Sequence, residues 1–221
     1  MISSNVALAG VFNIAHLKEE FPNLHEHFEL LSDPEGAFAI DELAQGIHSG
    51  GFEPYAEWSQ KKLQSGTVYW AKITLQSQLD RYSEWVLFTG SNNYVDVYIQ
   101  SVVGFKLKKA GFYDDLEDKD IQEGRESKVS FSINSGESKT IYIRYANIGG
   151  NSPSIESELV QPEVFYKQIQ WRNLFQGAFQ GIMAIFFFYN LLIFLLNRDK
   201  TYLYYAFYIF VSGLYFFNWA G

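Results

Sequence analysis

The chain has 221 residues with 25 acidic and 17 basic side chains and a formal charge of −8. An acidic field of this kind argues against a nucleic-acid partner, because phosphate binding needs a basic one. Cysteine is absent, which removes disulfides, thiol catalysis and thiolate metal sites together.

The mean hydropathy of −0.10 averages two unlike parts. Nearly all the charge lies in the first ~170 residues, about one domain's length. The apolar and aromatic residues concentrate toward the C-terminal end, in runs such as Phe186-Phe187-Phe188-Tyr189 and Tyr202-Leu203-Tyr204-Tyr205.

Residues 1–22 form a separate N-terminal segment. Its first basic residue is Lys18, so the basic start of an export signal is lacking, although Val6-Ala7-Leu8-Ala9 resembles the small-residue tail of one. Two readings stay open, an ordinary disordered or weakly helical N-terminus and the remnant of a signal region.

Residues 23–165 read as one β domain. The turn Ser32-Asp33-Pro34-Glu35-Gly36 is followed by 37–43, expected as a strand running into a short helix, and 52–63, with Trp58, as a loop packed on the domain. From Thr67 the sequence alternates with period two, the mark of strands with one buried face. Over 67–75, Tyr69, Ala71, Ile73 and Leu75 point one way and Val68, Trp70, Lys72 and Thr74 the other. Segment 95–99 turns Val95, Val97 and Ile99 inward and Asp96 and Tyr98 outward. Segments 128–133 and 140–145 repeat the pattern with Val129, Phe131, Ile133, Ile141, Ile143 and Tyr145 inward. Turn chemistry separates them, in Gly90-Ser91-Asn92-Asn93, Gly104, Gly124 and Asn134-Ser135-Gly136-Glu137. Short strands at this spacing, with no helical period between them, predict an all-β, jelly-roll-like antiparallel sandwich.

The outward residues Trp70, Lys72, Asp96, Tyr98, Tyr142 and Arg144 are the candidate ligand-binding set. Aromatic planes flanked by hydrogen-bonding groups suit the apolar faces and hydroxyls of a sugar, with Trp70 foremost. The competing reading has these aromatics packed beneath loops, and Arg125 and Arg144 as ion-paired fixtures of the fold. The acidic stretch 114–120 lacks EF-hand spacing and reads as a solvated loop, and His25 and His27 have no third zinc ligand at suitable spacing. No metal, cofactor or catalytic residue is expected. There is no His-Glu-x-x-His, Gly-x-Ser-x-Gly or phosphate loop, and every His precedes residue 49, so the chain does not read as an enzyme.

Residues 166–221 are expected to belong to a membrane. Pro162 suits the first turn of a helix, which approaches through Phe165, Tyr166 and Trp171 beside Lys167 and Arg172, a composition fit for the headgroup layer. Residues 174–196 contain no Asp, Glu, Lys, Arg or His; at ~1.5 Å per residue they make roughly 35 Å of helix, enough to span a bilayer. After the polar turn 197–201, residues 202–221 form a second uncharged segment, giving a transmembrane hairpin. The spacing of Gly177 and Gly181 permits close helix packing. Arg198 and Lys200 after the first span balance Lys167 and Arg172 before it, so charge alone does not orient the hairpin.

Two sets of motifs carry a family resemblance. In the β domain they are Ser32-Asp33-Pro34-Glu35-Gly36, Gly66-Thr67-Val68-Tyr69-Trp70, Trp85-Val86-Leu87, Asp96-Val97-Tyr98, Gly111, Arg125 and Tyr142-Ile143-Arg144. In the membrane part they are Gly177-Ala178-Phe179-Gln180-Gly181, Tyr189-Asn190-Leu191 and the stretch from Arg198-Asp199-Lys200 to Tyr205. In this order they resemble the bacterial seven-transmembrane receptors with diverse intracellular signalling modules, covering the type-two extracellular domain and the first two helices of a truncated bundle. The resemblance implies a β-sandwich sensor outside the bacterial cytoplasmic (inner) membrane or in the periplasm, binding a carbohydrate or related small molecule. It also implies the lipid bilayer, further receptor helices and a cytoplasmic output module as partners. The alternative is a membrane-anchored carbohydrate-binding or envelope-assembly domain without signalling.

Overall fold

The computed structural model describes residues 10–14, 22–123 and 126–220. Expectations for residues 6–9, Lys18, Gly124 and Arg125 lie outside these. The chain divides into two compact units, Met1–Pro162 and Glu163–Gly221.

The first unit contains β1 (Val11–Ile14), β2 (Glu29–Asp33), α1 (Ile40–Ala44), β3 (Glu53–Pro54), α2 (Tyr55–Trp58), β4 (Val68–Ser77), β5 (Ser83–Phe88), β6 (Tyr94–Ser101), β7 (Gly104–Lys109), β8 (Lys128–Ile133), β9 (Ser138–Ala146) and β10 (Glu158–Val160). A seven-stranded sheet runs β3-β2-β4-β9-β6-β7, with β1 also on β4, and a three-stranded sheet runs β10-β5-β8. The two share one core. Ala71, Ile73, Leu75, Val95, Val97, Ile141, Ile143 and Tyr145 from the larger sheet meet Trp85, Leu87, Val129, Phe131, Ile133 and Leu159 from the smaller. The period-two expectation therefore holds for β4, β6, β8 and β9, and every side chain read as inward is buried.

Three features differ from the sequence reading. The strand beside the Ser32 to Gly36 turn precedes it as β2, and residues 37–39 make no strand. The Asp33 carboxylate takes the amides of Ala37 and Phe38, each at 3.0 Å, so these donors cannot join a ladder and the chain bends into α1. The N-terminal segment also contributes structure. β1 lies parallel to β4 at Thr74 to Ser77, on the edge that β2 uses from Val68 to Lys72, and Ile14 is wholly buried. Finally, β7, a strand the sequence reading did not name, sets Lys106 and Lys108 on the face opposite Phe105 and Leu107. It is an edge strand, where lysines discourage pairing with other chains.

The second unit is a helical hairpin of α3 (Pro162–Asn197) and α4 (Lys200–Ala220). Among the described residues, α3 is the one helix long and apolar enough to cross a membrane; α4 carries five tyrosines in its uncharged stretch. The polar turn works as two caps. Arg198 enters the left-handed region at φ 57° with its amide on the Phe194 carbonyl at 2.8 Å, which closes α3. Asp199 then accepts the Thr201 amide at 2.9 Å, opening α4. Within the hairpin, the Gln176 and Gln180 side chains donate to the carbonyls of Phe216 and Gly213 at 3.3 and 3.2 Å. In an apolar surrounding such bonds stand in for water. Gly213, not the Gly177 and Gly181 pair, lies in this seam: a Cβ on Gly213 would meet Gln180 and Met183, whereas nothing lies within 4 Å of the other two.

Candidate functional site

All six candidate residues lie on β4, β6 and β9, and pairing sets them in two adjacent rows across the outer face of the larger sheet. One row runs Leu31, Trp70, Arg144, Asp96 and Lys109; the next runs Glu29, Lys72, Tyr142, Tyr98 and Leu107. Side chains directly opposite on one face of antiparallel strands are neighbours, so along each of β4, β9 and β6 a ring sits next to a charge, in Trp70 and Lys72, Tyr142 and Arg144, and Tyr98 and Asp96. Arg144 pairs with Asp96 at 3.4 Å and Lys72 with Glu29 at 3.3 Å. The indole of Trp70 stacks on the ring of Tyr98 with centroids 5.6 Å apart and planes at 29°.

This face is not uniformly open. Residues 34–52 lie across part of it, so Trp70 is 1% and Tyr142 6% exposed. Leu43, Phe38, Ile40 and Phe52 pack with both in a second apolar cluster. The covering segment is bonded down: Trp70 Nε1 donates to Asp33 Oδ2 at 3.3 Å, the Tyr142 hydroxyl donates to the Leu43 carbonyl at 3.4 Å, and Phe52 meets the Tyr142 ring edge-on. The expectation that Trp70 leads an exposed platform is therefore corrected. Trp70 and Tyr142 are walls beneath a cover, while Lys72, Asp96, Tyr98 and Arg144 stay partly accessible.

The electrostatics follow from this partial burial. Burial pushes the Asp96 carboxyl above its ordinary value, with repulsion from Asp114 adding to it and the Arg144 and Lys109 cations opposing it. Burial likewise raises the hydroxyls of Tyr98 and Tyr142, so both remain neutral donors over the physiological range. The accessible part of this face presents the neutral Tyr98 hydroxyl, an ion pair that can both donate and accept, and ring surface.

Sequence reasoning missed Glu29, Asp33 and Lys109. Only Asp33 carried a local signal, as the Asp of a turn that caps following amides. The other two join the rows through strand pairing. The acidic stretch is engaged piece by piece: Asp114 accepts the Gly111 amide, Asp118 pairs with Lys109 at 3.1 Å and Asp120 with Lys108 at 2.7 Å. His25 accepts the Ser157 amide through Nδ1, and His27 meets Phe12 edge-on. Among the described residues no group of three or more His, Asp or Glu could hold a metal.

Comparisons bear on both units. Residues 25–156 match the family model described as 7TMR-DISM extracellular 2, and residues 172–221 match that described as 7TM diverse intracellular signalling. No curated protein matches the chain. Among solved structures it is similar to a putative β-galactosidase from Bacteroides fragilis at 16% identity and a TM-score of 0.37, covering 63% of this chain and 22% of that one. It is also similar to a β-glucuronidase from Ruminococcus gnavus in complex with D-glucuronic acid at 10% identity and a TM-score of 0.33, covering 71% and 32%. The chain thus spans at most a third of these proteins' length, and likeness this distant carries no argument about ligand or reaction.

Proposed function

The chain belongs to the receptors of 7TM diverse intracellular signalling, and from that premise we propose that its sandwich senses a carbohydrate or related small molecule outside the bacterial inner membrane. The extracellular domain is the ligand-binding part of a membrane receptor. Binding is passed through the helices to a cytoplasmic output module, by favouring one packing of those helices over another. The sandwich binds and does not catalyse.

One observation carries the sugar reading: the partly open Asp96–Arg144 pair beside the Tyr98 ring, on strands that set a charge next to a ring. Saccharides present hydroxyls that need paired donors and acceptors, next to C–H faces that favour aromatic surface. Screening the full chain in lipid nanodiscs against a glycan array tests this. Arg144→Ala and Tyr98→Ala are expected to weaken a sugar hit about tenfold or more while far-ultraviolet circular dichroism stays that of the parent. Binding left unchanged in both variants would refute the assignment to this face.

A further inference from the structure

The accessible end of this face continues onto three exposed rings. Tyr94 stands two residues before Asp96 on β6, hence on the same face. The loop after β7 sets Phe112 and Tyr113 beside it. Ring centroids are 6.2 Å apart for Tyr94 and Tyr113, with planes at 56°, and 5.3 Å apart for Phe112 and Tyr113, with planes at 67°. Exposure is 37% for Tyr94, 54% for Phe112 and 53% for Tyr113. Single exposed apolar residues are ordinary; contiguous rings held in water mark a contact surface.

These rings are also held in place. The amides of Phe112 and Tyr113 donate to the carbonyls of Asn92 and Asn93, each at 2.8 Å. Asn93 donates its amide to Asn147 Oδ1 at 2.6 Å, and Asn147 Nδ2 donates to Asn92 Oδ1 at 3.1 Å. Asn92 Nδ2 in turn donates to the Ser154 carbonyl at 2.7 Å. Gly111 seats the loop so closely that a Cβ would overlap the backbone of Tyr94 and lie 2.5 Å from the Asn93 carbonyl oxygen. Three loops are thus knitted into a rigid mount, and a site that is already ordered loses less entropy on binding.

We propose that Tyr94, Phe112 and Tyr113 form the ligand-contact corner of the sensor, taking the end of a short, neutral oligosaccharide whose hydroxyls reach the Asp96–Arg144 pair. The proposal rests on the sugar-sensing reading of the same face and deepens it. Length follows from the ring angles. Planes at 56° and 67° make a corner, which fits one or two sugar units, whereas a long chain lying flat needs rings in one plane. Neutrality follows from the surrounding charge. Asp114 lies within electrostatic reach of Asp96, Asp115 and Glu117 are exposed beside it, and Lys109 is paired with Asp118. Lys119, which donates to the Phe112 carbonyl at 3.4 Å, leaves the surroundings acidic on balance. An acidic sugar would meet this field with like charge.

The test uses the full chain in zwitterionic nanodiscs and an array of neutral, amino and uronic-acid oligosaccharides of two to eight units. The parent is expected to bind neutral sugars with an affinity that stops rising after about two units, and Phe112→Ala with Tyr113→Ala to weaken binding about tenfold. Both rings are more than half exposed, so the double variant should melt close to the parent; if it fails to fold, Tyr113→Ala alone carries the comparison. Parental affinity in a folded variant, or preference for amino, acidic or longer sugars, would overturn the corner and leave the sugar-sensing reading standing. A parent that binds no sugar would overturn both.

Discussion

The two faces of the seven-stranded sheet are built by alternate residues of the same strands, yet they bury side chains by opposite chemistry. On the inner face, Ile73, Leu75, Val97, Ile141 and Ile143 meet the smaller sheet as aliphatic surface and need no polar partners. On the outer face Trp70 and Tyr142 are about as buried, but each sends a polar atom to a specific acceptor, Asp33 or the Leu43 carbonyl. The inner face requires mainly a matching apolar layer, although the Tyr69 hydroxyl accepts the Gln64 amide at 2.8 Å and the Tyr145 hydroxyl is buried without a hydrogen-bond partner among the described residues. The outer face requires a cover with bonds in the right places, because a buried polar atom without a partner costs about 1–3 kcal/mol. The inner face is therefore scaffold throughout, whereas the outer face changes from scaffold under residues 34–52 to accessible surface at Asp96 and Tyr94.

Two substitutions bear directly on this contrast. Ile143→Ala, at the middle of the inner face, should cost about 2–5 kcal/mol in chemical unfolding of the full chain in detergent; a loss below ~1 kcal/mol would mean that the two sheets do not share a tight core. Asp33→Ala removes the acceptor for two amides and the Trp70 indole and should cost about 2–3 kcal/mol. It should also shift tryptophan emission to the red and open residues 34–52 to proteolysis. An unshifted spectrum with a resistant cover would show that apolar packing alone holds the outer face closed.

The smallest effects have opposite signs. Asp96 has its carboxyl raised by burial, so its ionisation opposes folding, and the penalty grows as pH rises through its folded value. Asp96→Asn should therefore be neutral or stabilise by up to ~1 kcal/mol at pH 7, with the gain vanishing by about pH 3. At Asp120 burial pulls upward too, but hydrogen bonds from Lys108 and Ser130 outweigh it and hold the carboxyl below its ordinary value. Its contribution is present above the unfolded value and lost as pH falls through the folded one. Asp120→Asn should cost about 1–2 kcal/mol at pH 7 and little at pH 2. Parallel pH profiles for the two variants would contradict the distinction between a poorly satisfied carboxylate and a fully bonded one.

Much of this fold was legible because period two is local. Each of β4, β6, β8 and β9 announces two faces within six to ten residues. β7 and β10 were not, since the alternation of β7 covers only Phe105 to Lys108 and β10 has three residues. The candidate site was legible in membership but not in exposure: all six residues share one face, yet alternation reports only that Trp70 and Ile73 point opposite ways. Phe112 and Tyr113 sit in an irregular loop without period, so their meeting with Tyr94 depends on Gly111 and on asparagines from two other loops.

The sequence by itself determined the alternating strands, the uncharged helix and the family, because each rests on side-chain chemistry at fixed short spacing. Only the tertiary structure decided which strands share a sheet, that residues 34–52 cover Trp70, and that the accessible rings are Tyr94, Phe112 and Tyr113. These depend on contacts between residues tens of positions apart, where hydrogen bonds and close backbone approach, rather than local pattern, select the partner.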